Sequence, residues 1–295
     1  MNFGFLADLN RVLIPRFIGC LMVFACLFSS CSQNEDNALI IKNQHPFETN
    51  QLIGHKGDCL HAPENTMPSF EYAVNVLGLQ WIECDPVLTK DGVIVLNHGQ
   101  TIDDHSNGHG YVSEMTYDEL CKYDFGNPLK FGDEFVGTKI CTATEVIQFA
   151  KKHHVIVEFD FSHFNATLEK VEKLYSIITD NNYSDYTVLD PLNINDLQVV
   201  TDITTDIAIL YFNLDTTLVI PNELYRFKNV FIDLDLRKLG DARDVPVKIH
   251  KLGFKAVTEL INPVPDNPIE KLKELINSGF DCVYTEGIPR SVLDK

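Results

Sequence analysis

From residue 51 onward, short apolar runs alternate with stretches of helical periodicity, and no other feature restricts the fold as much. The runs are QLIGH (51–55), QWIECD (80–85), VIVEFDF (155–161), YTVLD (186–190), IAILYF (207–212), NVFIDLD (229–235), KAVTEL (255–260) and DCVYTE (281–286). Between them, PSFEYAVNVLG closes on Gly78, a helix C-cap residue, and TATEVIQFAKKH opens on Thr142 or Thr144 and closes on basic side chains. NATLEKVEKLYSIITDN and PIEKLKELINSG carry apolar residues at a spacing near 3.6, with weaker helical patterns around 190–205 and 214–227. Strands that alternate with helices build a parallel sheet. Eight such units in about 245 residues is the number that closes a TIM (β/α)8 barrel, with a doubly wound open sheet as the alternative. One long irregular segment, 97–140, rich in Gly, Asp and Asn, follows the second strand. An irregular stretch of that length inside a compact domain is usually functional.

The first residues are of another kind. Arg11 and Arg16 precede the apolar run Phe17–Phe28, which is shorter than the ~20 residues that span a bilayer. A basic start, a short apolar stretch and Ser29-Ser30 are expected of a secretory signal over 1–30. The stretch FSSC that ends at Cys31 resembles a bacterial lipobox, which implies lipid on Cys31 after cleavage; cleavage near Ser30 that leaves a free thiol is the alternative. Residues 31–50 then read as a solvated tether, and 51–295 as the folded domain. The expected location is the bacterial cell envelope, with the chain anchored to a membrane through Cys31 at a periplasmic or outer-membrane surface. Of eight cysteines, Cys59, Cys84, Cys121, Cys141 and Cys282 lie in the domain, an odd number that excludes a complete disulfide framework.

The net charge is -18. That excludes nucleic acid as a partner, because affinity for it comes from Lys and Arg neutralising phosphates. An anionic substrate would need something local to reverse the field, and a bound cation does so. Residues two apart in a strand share a face, so Trp81, Glu83 and Asp85 point one way and Ile82 and Cys84 the other. In a barrel, Glu83 and Asp85 would stand at the C-terminal mouth, where barrel enzymes keep their sites. The third strand repeats the pattern with Glu158 and Asp160. Carboxylates this close repel unless Lys or Arg pairs with them, or unless an oxygen-preferring divalent cation, Ca²⁺ or Mg²⁺, lies among them. His55 ends the first strand and His98 follows VIVLN (93–97); the pair could serve as general acid and base. Lys56 offers a point charge suited to phosphate.

Together, HKGDCLHAPENTMPSFEYAV (55–74), GLQWIECDPVLTKDGVIVLNH (78–98), NGHGYVSEMTYDEL (107–120) and GFDCVYTEGIP (279–289) resemble the glycerophosphodiester phosphodiesterase family. The resemblance is dense over 54–126 and thin between 165 and 275. It implies a TIM barrel with a small insertion after the second strand, here about 99–140. It also implies His55 and His98 as the catalytic pair, Glu83, Asp85 and Glu158 as ligands of a divalent cation, and Lys56 in place of a phosphate-binding Arg. The family's Asp after the second His is Gly99 here, the Lys of its Glu-x-Lys strand is Asp160, and its last acid is Glu286 rather than Asp. Asp160 adds negative charge where the family carries positive, and becomes a candidate extra ligand. The expected activity is metal-dependent hydrolysis of a small-molecule glycerophosphodiester to glycerol phosphate and an alcohol, with no protein partner. The alternatives are a phospholipase D- or phosphoinositide-type lipid phosphodiesterase and a non-catalytic, ligand-binding lipoprotein.

Overall fold

A computed structural model of the chain describes residues 46–161, 166–213, 218–236, 244–261 and 265–294. The signal, most of the tether and Cys31 lie outside the described residues. The strands are β1 (Gln51–Gly54), β2 (Trp81–Cys84), β3 (Pro86–Leu88), β4 (Ile94–Leu96), β5 (Ile156–Asp160), β6 (Thr187–Asp190), β7 (Ala208–Asn213), β8 (Val230–Leu234), β9 (Lys255–Leu260) and β10 (Cys282–Thr285). Eight of them close a barrel in the order β1-β10-β9-β8-β7-β6-β5-β2, with every neighbouring pair parallel. The eight barrel strands are the eight apolar runs, and the open-sheet alternative falls. Strand β3 and strand β4 pair antiparallel as a separate hairpin.

Helix α1 (Met67–Glu71) opens on Thr66 and continues as a wider turn over Tyr72–Val76, closing at Gly78 with φ +70°. The insertion carries α2 (Tyr117–Leu120) and α3 (Pro128–Phe131). Between β4 and β5 lies α4 (Ala143–His153), where Thr142, not Thr144, is the N-cap. Its hydroxyl accepts from the Glu145 amide, and the Glu145 carboxylate accepts from the Thr142 amide at 2.8 Å. Ala143, Val146, Ile147 and Ala150, spaced as one helix face, are buried against the barrel. The outer ring continues with α5 (Leu168–Asp180), α6 (Ile194–Ile203), α7 (Val245–Lys251) and α8 (Pro268–Asn277). The weak pattern at 214–227 becomes a short 3₁₀ turn at Asn222–Arg226, with 214–217 outside the described residues.

Alternation along the strands divides the apolar residues. Ile82, Cys84, Val157 and Phe159 face the helices, while Trp81, Ile156, Val188, Leu210, Phe231 and Val257 fill the barrel. Phe47, which the sequence reading leaves in the tether, packs edge-on against Trp81 and Phe231 at the N-terminal end. The insertion has its own core of Val87, Val95, Ile102, Val112, Leu120, Phe125 and Ile140. Since the hairpin shares that core, the excursion begins directly after β2 rather than at residue 97 or 99. The Asp91 carboxylate in the hairpin turn accepts from Thr89 Oγ1 and from the Tyr117 amide, which ties the hairpin to α2. The five domain cysteines are all free thiols.

Candidate active site

The turn after β1 brings the site together. Lys56 and Gly57 both take left-handed backbone, φ +54° and +80°. A Cβ on Gly57 would lie 2.7 Å from the Ser69 backbone, so the position needs glycine. The turn lets the Lys56 amide donate to Glu83 Oε2 at 2.7 Å and the Gly57 amide to the Glu83 carbonyl. Asn65, also left-handed, holds Asp85 from two sides: its Nδ2 donates to Asp85 Oδ2 at 2.7 Å, and its Oδ1 accepts from the Asp85 amide at 2.9 Å.

Three groups of side chains converge at the C-terminal mouth. In the first, oxygens of Glu83, Asp85 and Asp160 all lie within 4.8 Å of one another. Burial, then the charges of Asp85, Asp160 and Glu158, push Glu83 well above the usual carboxylate range. Burial carries Asp85 to about 6 against the opposing pull of Lys56 and the Asn65 hydrogen bond. Glu83 Oε1 is buried without a hydrogen-bond partner. Three carboxylates whose oxygens lie this close, two of which raise the pKa of the third, with one buried oxygen unsatisfied, are a donor set that fits a hard divalent cation. Asp160, the candidate extra ligand, falls in this group with Glu83 and Asp85, while Glu158 lies close enough for its charge to act on Glu83. The Glu158 carboxylate, fully buried, is engaged by Trp81 Nε1 at 2.8 Å and by the Tyr284 hydroxyl. Burial raises it to about 8 despite those bonds.

In the second group Glu286 Oε1 accepts from His55 Nδ1 at 2.7 Å, and Cys59 Sγ lies 3.2 Å from the same oxygen. Burial works against the Glu286 charge, but the His55 contact, the Cys59 hydrogen bond and the Lys56 charge together outweigh it and lower its pKa. In the third group Glu64 Oε1 lies 3.4 Å from Lys56 Nζ, 3.4 Å from His98 Nδ1 and 3.7 Å from His105 Nδ1. The other His105 nitrogen donates to the His98 carbonyl at 2.7 Å. Burial disfavours both charges of the Lys56–Glu64 pair, yet the Lys56 pKa is raised and that of Glu64 lowered, because each answers the other. His55 and His98 therefore sit in separate carboxylate–histidine groups. Lys56 and His98 share Glu64, while the Lys56 charge also reaches Glu286.

His105, which reads as an ordinary loop residue, belongs to the site, as does Glu64 within APENT. Asp190, Asp233 and Glu259 at the ends of β6, β8 and β9 line the same pocket as His55, Glu83 and Asp160. Inward strand parity is the sequence signal for all three. Lys170 of α5 carries no sequence signal at all. It is 3% exposed, with its Nζ over the Phe161 ring, and burial lowers it to about 8.

The sequence model of the glycerophosphoryl diester phosphodiesterase family matches residues 55–185. A glycerophosphodiester phosphodiesterase of Caldanaerobacter subterraneus is 34% identical over 143 residues, covering 48% of this chain and 58% of the relative. One from Bacillus subtilis is 33% identical over 107 residues, covering 34% and 36%. The chain thus spans about half or less of these relatives' own length. An Oleispira antarctica phosphodiesterase solved with the product sn-glycerol-3-phosphate superposes with a TM-score of 0.70 at 21% identity, over 84% of this chain and 98% of that one. A glycerophosphoryl diester phosphodiesterase from Parabacteroides distasonis gives 0.67 at 22% identity, over 88% and 90%. At those identities the likeness establishes the barrel fold.

Proposed function

From the premise that this chain belongs to the glycerophosphoryl diester phosphodiesterase family, we propose that it is a phosphoric diester hydrolase that cleaves glycerophosphodiesters to glycerol phosphate and an alcohol. The observation that carries this reading is the convergence of the Glu83, Asp85 and Asp160 carboxylates with two carboxylate-held histidines at one end of the barrel. Glu83, Asp85 and Asp160 would hold a divalent cation, Ca²⁺ or Mg²⁺, and Glu158 would support them from the layer beneath. When bound, the cation supplies positive charge against a non-bridging phosphate oxygen.

The remaining steps belong to side chains. With its Nδ1–H held by Glu286, His55 keeps Nε2 as a lone pair, and the ring lines the pocket. That suits it to take a proton from the nucleophile, either water or a hydroxyl of the substrate. His98 sits where Glu64 supplies a countercharge when the ring carries a proton, and it would protonate the departing alcohol. Lys56, anchored through its backbone to Glu83, adds charge on the phosphate side. We also propose that lipid on Cys31 holds the domain at the membrane. Replacing Cys31 by Ala should then move the protein from the membrane to the soluble fraction.

Phosphorus NMR on the purified chain, given a mixture of glycerophosphodiesters and short-chain phospholipids with Ca²⁺ or Mg²⁺ added and then chelated, tests the activity. A cation-dependent phosphomonoester signal is expected; a cyclic phosphate would mark attack by the substrate's own hydroxyl. An unchanged spectrum with every substrate and cation would refute hydrolysis and favour a binding protein.

A further inference from the structure

Beside the acid trio, two clusters bring histidine and carboxylate together, and their distances differ in kind. His55 Nδ1 meets Glu286 Oε1 at 2.7 Å, an ordinary charge-assisted hydrogen bond. Glu64 Oε1 stands 3.4 Å from His98 Nδ1 and 3.7 Å from His105 Nδ1. Both distances exceed the roughly 2.7–3.2 Å of an N–H···O bond. His105 Nε2 donates to the His98 carbonyl at 2.7 Å, so Nδ1 of the neutral ring keeps a lone pair. That Nδ1 is buried and has no hydrogen-bond partner. Burial opposes the Glu64 charge, yet Lys56 leads the groups that keep its pKa low, so the oxygen facing His105 belongs to an anion. Two electron-pair donors thus face each other across a gap, and a buried polar atom left in that state calls for a ligand.

A cation between such donors satisfies both, and the spacing decides its kind. Zinc binds imidazole nitrogen and carboxylate oxygen at about 2.0–2.2 Å, so two such ligands at a tetrahedral angle stand roughly 3.4 Å apart. The Glu64–His98 separation matches that edge, and the Glu64–His105 separation exceeds it by a few tenths of an ångström. The three ligand atoms all lie within 4.8 Å of one another. Imidazole donors suit Zn²⁺ and related transition ions, whereas Ca²⁺ and Mg²⁺ prefer oxygens such as those of the trio. The His105 bond to a backbone carbonyl is the support that metal-bound histidines carry, because it fixes the tautomer and the ring. The loop that delivers both histidines is held by its own bonds. Asn97 Nδ2 donates to the Gly99 and Thr101 carbonyls, and the carbonyl of buried Ile102 accepts from the His105 amide. Glu64, His98 and His105 are each partly exposed, so an ion can enter and water can complete its shell.

We propose that Glu64, His98 and His105 form a second cation site, for Zn²⁺ or a like transition ion, between the turn after β1 and the insertion. Lys56, with its Nζ 3.4 Å from the same Glu64 oxygen, is the ion's competitor there. Bound metal would tie the insertion to the barrel through side chains. A further consequence rests on the diesterase reading. The ion takes the His98 nitrogen that Glu64 answers when the ring is charged, so it withdraws His98 from proton transfer. Transition ions would then oppose the cleavage that Ca²⁺ or Mg²⁺ supports.

The test titrates the untagged full chain with Co²⁺, followed by visible absorption, and then adds Zn²⁺. Expected is one tightly bound Co²⁺ with the intense bands of a low-coordinate site, displaced by Zn²⁺ and not by excess Ca²⁺ or Mg²⁺. His105→Ala and Glu64→Gln should each weaken Co²⁺ binding at least about tenfold, the least that loss of even a supporting partner costs. Lys56→Met should tighten it, and Glu83→Gln should keep the bands. Zn²⁺ should raise the melting temperature of the parent and not that of His105→Ala. A parent chain that shows no Co²⁺ bands would overturn the site. Bands that survive His105→Ala and vanish in Glu83→Gln would overturn it in favour of an ion at the trio. A thiolate-to-metal absorption lost in Cys59→Ser would overturn it in favour of His55, Cys59 and Glu286. Binding with the expected variant pattern, but no diester cleaved, would uphold the site and remove the diesterase reading. Binding with that pattern and cleavage undiminished by Zn²⁺ would uphold the site and overturn its action on His98.

Discussion

At the scale of single residues, the site is a set of carboxylates assigned different partners. Glu286 holds His55, Glu64 faces His98 and Lys56, Asn65 holds Asp85, the Lys56 amide donates to Glu83, and oxygens of Glu83, Asp85 and Asp160 lie together. If the two histidines perform proton transfer, His55→Ala and His98→Ala should each lower turnover by ~10²–10⁴ with the fold intact. Steady-state rates beside a circular dichroism spectrum check this, and near-normal turnover in either variant would remove its assigned role. Lys170 makes a prediction about stability. Its pKa is 10.5 when exposed and about 8 in the fold, chiefly through burial. The unfolded chain therefore holds more protons between those values, so stability should rise as pH climbs from about 8 to 10.5. The limit is on the order of 3 kcal/mol. Lys170→Met should flatten that slope in denaturant titrations run across the same range; parallel curves for the two proteins would contradict it. Strand parity made Glu83, Asp85, Glu158 and Asp160 visible in the sequence. It did not tell which carboxylates would meet, because that depends on how far each strand end rises. Trp81 and Tyr284 take Glu158, and no local pattern announces those two donors. His105 was invisible for a related reason: it reaches Glu64 only after the insertion folds back over the turn.

At the scale of elements, the barrel strands and longer helices follow from local signals, each with a physical cause. Apolar runs of strand length, basic residues at a helix end and Gly78 as a stop were all present in the chain. The insertion was legible only as irregular. Its order comes from a small core of its own and from side-chain bonds to turns such as the one at Asp91. Such bonds join residues far apart in sequence, and periodicity cannot see them. Helix α4 joins the two parts, since Thr142 both caps it and bridges Val95 of β4. Thr142→Ala should lower the unfolding free energy by about 1 kcal/mol. Chemical denaturation measures this, and a variant as stable as the parent would mean that the capping box contributes nothing here.

At the scale of the whole molecule, the acids at the mouth should couple stability to pH and, if the proposed cation binds, to cations as well. Glu158 rises to about 8 and Asp85 to about 6, with Glu83 also raised, all chiefly by burial. Without a cation the folded state holds protons that the unfolded chain has released, so stability should fall as pH rises from about 4.5 to 8. Ca²⁺ or Mg²⁺ at a hundredfold excess over its dissociation constant should restore about 2.7 kcal/mol. Melting curves at pH 5 and pH 8, each with cation and with chelator, should show the larger gain at pH 8. Glu83→Gln should melt higher than the parent in chelator and respond less to cation. An equal cation response in that variant would remove Glu83 from the set. Closure of the barrel has one more consequence, and it concerns synthesis. Strand β1 pairs with β10, and the acid that holds His55 comes just after β10. A ribosome releases β1 long before β10, so a growing chain cannot seal the sheet or orient His55 until more than 230 later residues have followed. Contacts of such long range form slowly. The emerging barrel therefore stays open, with His55 without its carboxylate partner, until β10 docks.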